Sequence, residues 1–85
     1  MSSLTAYVDR KNAFSSLFGS RQLSLQNAKD RQSIADSIDS ELSPENLTCD
    51  GELSRAEVQR RYKELTKVAR ELQKLDPTVK FYEYN

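Results

Sequence analysis

The chain has 85 residues and a formal net charge of zero at pH 7, with 31% charged and 36% hydrophobic residues, one Cys and no His. This length supports one domain with a modest core, and a single cysteine excludes an internal disulfide. Without His, the chain lacks the commonest general base and the usual partner of a Ser or Cys nucleophile. Without His or a second Cys, it also lacks a zinc ligand set. We therefore predict a protein that is not an enzyme and binds no metal or cofactor.

The N-terminal segment, residues 1–20, is predicted to hold a short extended stretch and a short helix. It lacks the basic segment followed by an apolar run that marks a signal peptide. Residues 4–8 are expected to be extended, and Asp9 is a candidate N-cap for a helix over residues 12–18. Gly19 is suited to end that helix in the left-handed conformation. We expect a cytoplasmic protein without a membrane partner, because no apolar run approaches the roughly 18 residues that span a bilayer.

Residues 24–75 are predicted to form an antiparallel helical hairpin. Its first helix runs over about residues 25–42, with Ser24 as its candidate N-cap. Pro44 stops this helix, because the residue before a proline is pushed out of the α region, and a proline at the first helical position suits a short turn through Asn46. The apolar positions of the first helix recur at helical spacing: Leu25, Ala28, Ile34, Ala35, Ile38 and Leu42.

The second helix of the hairpin has the clearest borders in the chain. Ser54 and Glu57 form an S-x-x-E capping box, and the Asp76-Pro77 pair ends the helix at about residue 75. Tyr62 is expected toward the packed side. The apolar positions recur at steps of three, four and seven residues, which predicts one buried face: Val58, Leu65, Val68, Leu72 and Leu75.

Charge is distributed unevenly along the chain. Residues 33–52 hold six acids and no base, whereas residues 55–74 hold seven bases and three acids. The acidic first helix is therefore expected to lie beside the basic second one. The three acids of the second helix recur every seven residues, the spacing at which interhelical ion pairs form: Glu57, Glu64 and Glu71.

A row of cations, the basic stripe, recurs at helical spacing on the far side of the second helix: Arg60, Lys63, Lys67, Arg70 and Lys74. One interpretation is a solvated outer face, which is the default for an amphipathic helix. The other is a surface that contacts a nucleic-acid backbone, with Arg61 widening the patch.

The C-terminal segment, residues 76–85, is predicted to be an extended aromatic tail. It is expected either to dock on the hairpin or to pair with residues 4–8 as a two-stranded ribbon, which needs packing against a helix to be stable. The fold class predicted for the whole chain is therefore all-α: the antiparallel hairpin, a short N-terminal helix and the tail. A homodimer could complete a four-helix bundle.

The turn sequence ENLTCDGE, residues 45–52, leads into the helix sequence SRAEVQRRYKEL, residues 54–65. The patterns NL-x-CDGE and V-x-x-R-Y-x-x-L-x-K resemble the small helical-hairpin proteins encoded beside the recombination helicase of T4-type bacteriophages. The resemblance spans at most residues 25–75 and leaves the first 20 residues and the aromatic tail unexplained. It implies a phage accessory protein of DNA recombination or repair, acting in the host cytoplasm, with a charged face near DNA or near the helicase.

Two functional hypotheses follow. In the first, a non-enzymatic accessory protein of phage type binds DNA or a nucleic-acid-processing protein through the basic stripe. In the second, the protein is an assembly factor or a small inhibitor of a host or defence protein, and binds its partner through apolar terminal segments. The candidate residues of the second hypothesis are aromatic or aliphatic: Phe14, Leu17, Phe18, Phe81, Tyr82 and Tyr84.

Overall fold

The computed structural model describes residues 2–17 and 21–83, apart from the side chains of residues 15–17. This part of the chain forms four helices: α1 (Ser3–Leu17), α2 (Ala28–Leu42), α3 (Pro44–Leu47) and α4 (Arg55–Leu75). It contains no strand, which confirms the all-α fold class. α4 contacts each of the other three helices and is therefore the centre of the fold. No described helix has the length and apolar composition needed to cross a membrane.

α1 is longer than predicted and includes residues 4–8, so the expected extended stretch is wrong. Ser2 caps this helix, because its Oγ accepts the Thr5 N–H at 3.1 Å. Asp9 is therefore an exposed residue inside the helix and not an N-cap. Gly19 lies outside the described residues. The buried side chains of α1 lie at helical spacing: Leu4, Tyr7 and Val8.

α2 ends where the sequence predicts and begins later. Its N-cap is Asn27 and not Ser24, since the Asn27 side chain accepts the Lys29 N–H at 2.9 Å. The Ser24 carbonyl instead accepts the Asn27 N–H at 3.2 Å, within the preceding turn. At the other end, Ser43 is extended with φ −60° and ψ 145°, and Pro44 starts the predicted short turn, which is α3.

α4 has the predicted borders but a narrower buried face. The Ser54 Oγ accepts the Glu57 N–H at 3.3 Å and lies 3.1 Å from the Glu57 carboxylate. Leu75 is 53% exposed and Tyr62 is 50% exposed, so both expectations of core contact are wrong. Both side chains lie about 70° from the centre of the buried face, where the neighbouring helices no longer cover them. Four residues of α4 are buried: Leu65, Val68, Ala69 and Leu72.

The turn between α3 and α4 has three consecutive residues in the left-handed region. Cys49, Asp50 and Gly51 have φ values of 50°, 57° and 87°. The Asp50 N–H donates to the Glu45 carbonyl at 3.0 Å, and the Gly51 N–H donates to the Thr48 carbonyl at 3.1 Å. These hydrogen bonds hold a conformation that costs a non-glycine residue about 1–2 kcal/mol. The chain therefore turns within the sequence ENLTCDGE, at Cys49, Asp50 and Gly51.

The described part of the tail, residues 76–83, lies against α2. The side-chain amide of Gln32 accepts the Lys80 N–H and donates to the Lys80 carbonyl, both at 3.1 Å. The Asp39 carboxylate accepts the Tyr82 N–H at 2.9 Å. The predicted ribbon with the N-terminal segment is wrong, because residues 4–8 are helical and the tail bonds to α2 side chains. Two tail side chains join the core: Val79 and Phe81.

Two further buried aspartates attach non-helical segments to the helices. Asp30, fully buried, accepts the Ser24 N–H at 2.9 Å and both terminal nitrogens of Arg21. Asp76 accepts the Arg31 Nε–H at 2.7 Å and the Thr78 N–H at 2.9 Å. Burying a carboxylate is unfavourable unless it is paired and hydrogen-bonded, and both carboxylates meet that condition. The segment before α2 and the turn after α4 are thus held by specific acceptors.

The carboxyl group of Asp76 makes stability depend on pH. Hydrogen bonds from the Thr78 hydroxyl, Arg31 and the Thr78 N–H lower the pKa of Asp76 from 3.8 to about 2. Because the folded protein holds the ionised form more strongly than the unfolded chain does, this stabilisation is complete above pH 3.8 and is lost as pH falls through about 2. We expect the melting-temperature advantage of the wild type over Asp76→Asn to shrink across that window.

Thermal unfolding followed by circular dichroism from neutral pH to pH 2 measures this advantage. Asp9→Asn, at an exposed position of α1, is the control for the loss of a carboxylate as such. A melting-temperature difference between the wild type and Asp76→Asn that stays constant over the acid range would contradict the assignment to Asp76.

Candidate nucleic-acid interface

The five cations of the basic stripe are all exposed. At 3.6 residues per turn, their mean direction is about 180° from that of the buried face of α4. A rise of 1.5 Å per residue makes the stripe about 21 Å long from Arg60 to Lys74. The stripe therefore runs along the outer side of the central helix, on the surface farthest from its packing partners.

Most of the stripe has no counter-ion among residues 2–17 and 21–83. Three ion pairs of the described residues lie away from the stripe: Lys11 with Glu41, Arg21 with Asp30 and Arg31 with Asp76. Four stripe cations make no ion pair with any carboxylate in residues 2–17 and 21–83: Arg60, Lys63, Lys67 and Lys74. Their charge can therefore act on an anion from outside the protein.

The three glutamates of α4 flank one side of the stripe, and two of them accept hydrogen bonds. Glu71 Oε2 accepts the Leu4 N–H at 2.7 Å, at the start of α1, and Glu57 contacts the Ser54 hydroxyl. No described ion pair joins Glu57, Glu64 or Glu71 to another helix, so the heptad expectation is wrong within this part of the chain. A carboxylate at a helix N-terminus is favourable because the backbone N–H groups there are unpaired. The other flank of the stripe is neutral: Gln59, Thr66 and Gln73.

Arg61 does not widen the stripe. Its side chain is half-buried about 140° away around α4, and its Nη2 donates to the Asn46 carbonyl at 3.5 Å. Tyr62 lies about 120° from the centre of the stripe. The stripe thus has no aromatic side chain on which a base could stack, and its groups suit phosphate oxygens.

The terminal aromatic residues divide between surface and core. Phe14 is 64% exposed and Tyr82 is 79% exposed, whereas Phe81 is only 4% exposed. The side chain of Leu17 and the whole of Phe18 and Tyr84 lie outside the described residues. Phe81 is therefore part of the core in the folded chain, and two of the six proposed contact residues are exposed.

A polar cluster between α1 and α2 has no counterpart in the sequence analysis. The Tyr7 hydroxyl lies 2.9 Å from Ser37 Oγ and donates to the Glu41 carboxylate. Lys11 Nζ lies 3.2 Å from Glu41 Oε2 and 5.5 Å from the centre of the Tyr7 ring. Burial raises the pKa of Tyr7, and the hydrogen bond to Glu41 raises it further. Residues four positions apart are neighbours on the surface of a helix, as Tyr7 and Lys11 are. A prediction of helix for residues 4–8 would therefore have placed these two side chains together.

The described residues contain no group of three or more His, Cys, Asp or Glu side chains that could hold a metal ion. No protein-family profile, curated protein or solved structure matches the chain. The features of this chain that point to a function are therefore its exposed charges and its surface shape.

Proposed function

We propose that the protein acts by binding, as a non-enzymatic accessory protein of phage type whose basic stripe contacts the phosphate backbone of DNA. The observation that carries the proposal is the position of the stripe. Five exposed cations lie opposite the buried face of α4, and four of them have no ion pair among the described residues. When Lys and Arg side chains contact DNA phosphates, the counter-ions condensed on the DNA are released. This release is the main driving force of sequence-independent DNA binding.

The dimensions of the stripe suit a nucleic-acid backbone. Its length of about 21 Å corresponds to roughly six nucleotides at 3.4 Å of rise per strand. α4 packs against three other helices, so the stripe is carried by a supported helix and not by a loop. A supported helix loses little conformational entropy on binding, which favours affinity. Because the stripe offers no base-stacking side chain, the contact should be insensitive to DNA sequence.

A net charge of zero does not oppose this proposal. The acids of residues 33–52 belong to α2, α3 and the turn that follows, whereas the stripe belongs to α4. Separated charges of opposite sign orient a protein in the field of a polyanion, so that the basic side approaches first. An acidic surface of a nucleic-acid-processing protein would attract the same stripe. If the protein binds DNA weakly and binds such a protein strongly, the processing protein and not DNA is the partner.

The second candidate is a protein–protein module that uses the apolar terminal segments. Its support is the exposure of Phe14 and Tyr82, since large apolar side chains in water favour contact with a partner. The burial of Phe81 removes one of its proposed contacts. Partner affinity in this version should change little with salt.

We expect DNA affinity to fall steeply with salt. Between about 50 and about 200 mM monovalent salt, five phosphate contacts predict a loss of roughly 500-fold for double-stranded DNA and roughly 100-fold for single-stranded DNA. Fluorescence anisotropy with labelled single- and double-stranded DNA measures it, with a peptide nucleic acid of the same base sequence as the control that lacks phosphate. No binding at the lowest salt, or equal binding of the uncharged analogue, would contradict the proposal.

A further inference from the structure

A cleft of about 310 Å³ lies between α1, the end of α2 and α4. We call it the α1–α4 cleft. Its apolar lining includes Phe14, which is 64% exposed, and Leu65, which belongs to the core. The remaining lining is largely charged and comes from all three helices. The cleft is thus an amphipathic site, with an apolar wall beside a set of ionic groups, and it does not include the basic stripe.

The charges of the cleft do not balance. Lys11 and Glu41 neutralise each other at 3.2 Å, and Glu41 also accepts the Tyr7 hydroxyl. The other charged residues of the lining are Arg10, Arg61 and Glu64, so the cleft has one excess positive charge. A ligand with one negative charge would neutralise it.

Arg61 has an unused donor at this site. Its Nε is buried and has no hydrogen-bond acceptor, and its Nη2 makes only a long contact of 3.5 Å to the Asn46 carbonyl. Glu41 is already engaged by Tyr7 and Lys11. A buried donor without an acceptor is unfavourable, and the planar edge of a guanidinium matches a carboxylate with two parallel hydrogen bonds. Arg61 lines the cleft, so its guanidinium is the group there that a bound carboxylate would pair with.

We propose that the α1–α4 cleft binds an acidic peptide segment of a partner protein, with one Asp or Glu carboxylate on Arg61 and an adjacent aromatic side chain against Phe14. The proposal is independent of DNA binding by the stripe. A nucleic-acid backbone is a poor occupant, because Glu41 and Glu64 repel a run of phosphates. The apolar side chains of the wall also have no hydrogen-bond donor for a phosphate oxygen. An aspartate beside a phenylalanine matches both the single excess charge and the apolar wall.

The test uses the isotope-labelled full chain and the peptide acetyl-Phe-Asp-Phe-amide, followed by amide chemical shifts. We expect saturable shifts at Tyr7, Phe14 and Leu65, with a dissociation constant in the millimolar range. The matched peptide acetyl-Phe-Asn-Phe-amide should bind about tenfold more weakly, because it cannot form the charge-assisted hydrogen bonds. Inorganic phosphate at the same concentration should leave these shifts unchanged.

Two variants locate the site. Arg61→Gln should weaken binding of the aspartate peptide about tenfold and abolish its preference over the asparagine peptide. Phe14→Ala should weaken binding of both peptides. Arg55→Gln, an exposed arginine of the same helix outside the cleft and the stripe, should change nothing, and the melting temperature of each variant verifies the fold. Absence of saturable shifts, equal binding of the two peptides, unchanged binding by Arg61→Gln or the same shifts with phosphate would each overturn the proposal.

Discussion

Reversing the charges of Lys63, Lys67 and Arg70 to glutamate is expected to abolish DNA binding without unfolding the protein. Each reversal removes a phosphate contact and adds a repulsive charge, so the affinity near 50 mM salt should fall on the order of 100-fold or more. All three side chains are exposed and lie opposite the core. The free energy of unfolding should therefore change by less than about 1 kcal/mol.

The matched control carries the same change in net charge at exposed cations outside the stripe: Lys29→Glu, Arg55→Glu and Lys80→Glu. Anisotropy titrations with DNA and thermal melts compare the two triple variants. The control should keep most of the affinity, because the stripe itself is intact. If both variants lose binding equally, the overall charge and not the stripe determines affinity. Unchanged binding by the stripe variant would contradict the proposed function.

Leu72→Ala is expected to have the largest effect on stability, about 2–5 kcal/mol, because it leaves a cavity in the core. Leu72 is fully buried, whereas Leu75, three residues later on the same helix, is 53% exposed. Leu75→Ala should cost less than about 1 kcal/mol. For 85 residues the total free energy of unfolding is expected to be about 4–13 kcal/mol, so Leu72→Ala removes a large part of it.

Urea unfolding of Leu72→Ala and Leu75→Ala measures the loss in free energy of unfolding for the same substitution at a buried and at an exposed position. The comparison also tests the alternative in which a homodimer completes a four-helix bundle. If Leu75→Ala costs as much as Leu72→Ala, and if that cost increases with protein concentration, then a second chain covers Leu75 and the surface is an interface. A similar cost that is independent of concentration would contradict the exposure of Leu75 in the single chain.

The features of α4 that the sequence predicted correctly are local. The capping contact between Ser54 and Glu57 spans three residues, and the stop at Asp76-Pro77 follows from the covalent geometry of proline. The exposure of the basic stripe follows from the same helical period that buries Leu65 and Leu72. Such signals act within a few residues, so they can be recognised without knowledge of the other helices.

The wrong predictions depend on side-chain contacts that the local pattern does not contain. Whether residues 4–8 form a strand or a helix depends on the packing of α1 against α4 and on Glu71, which accepts the Leu4 N–H from 67 positions away. Ser24 and Asn27 are both good N-cap residues. The N–H of Ser24 is bound by Asp30, and Asn27 is the residue left to cap the helix. For residues 4–8, local propensity cannot choose between strand and helix, because the acceptor Glu71 belongs to another helix. For the start of α2, the acceptor Asp30 lies six residues from Ser24 within α2, and propensity alone does not tell which of two good N-cap residues its contact leaves free.

Neighbouring residues suffice to predict the helical class, the borders of α4, the end of α2 and the outward direction of the basic stripe. Propensity, capping and period are all properties of nearby positions in the chain. The course of the tail, the burial of Phe81 and the assembly of the α1–α4 cleft depend instead on how the helices pack against one another. In each of those cases the partners are far apart in the chain, as for Asp39 and the Tyr82 N–H, which are separated by 43 positions. Their pairing depends on how whole helices pack, which no local pattern encodes.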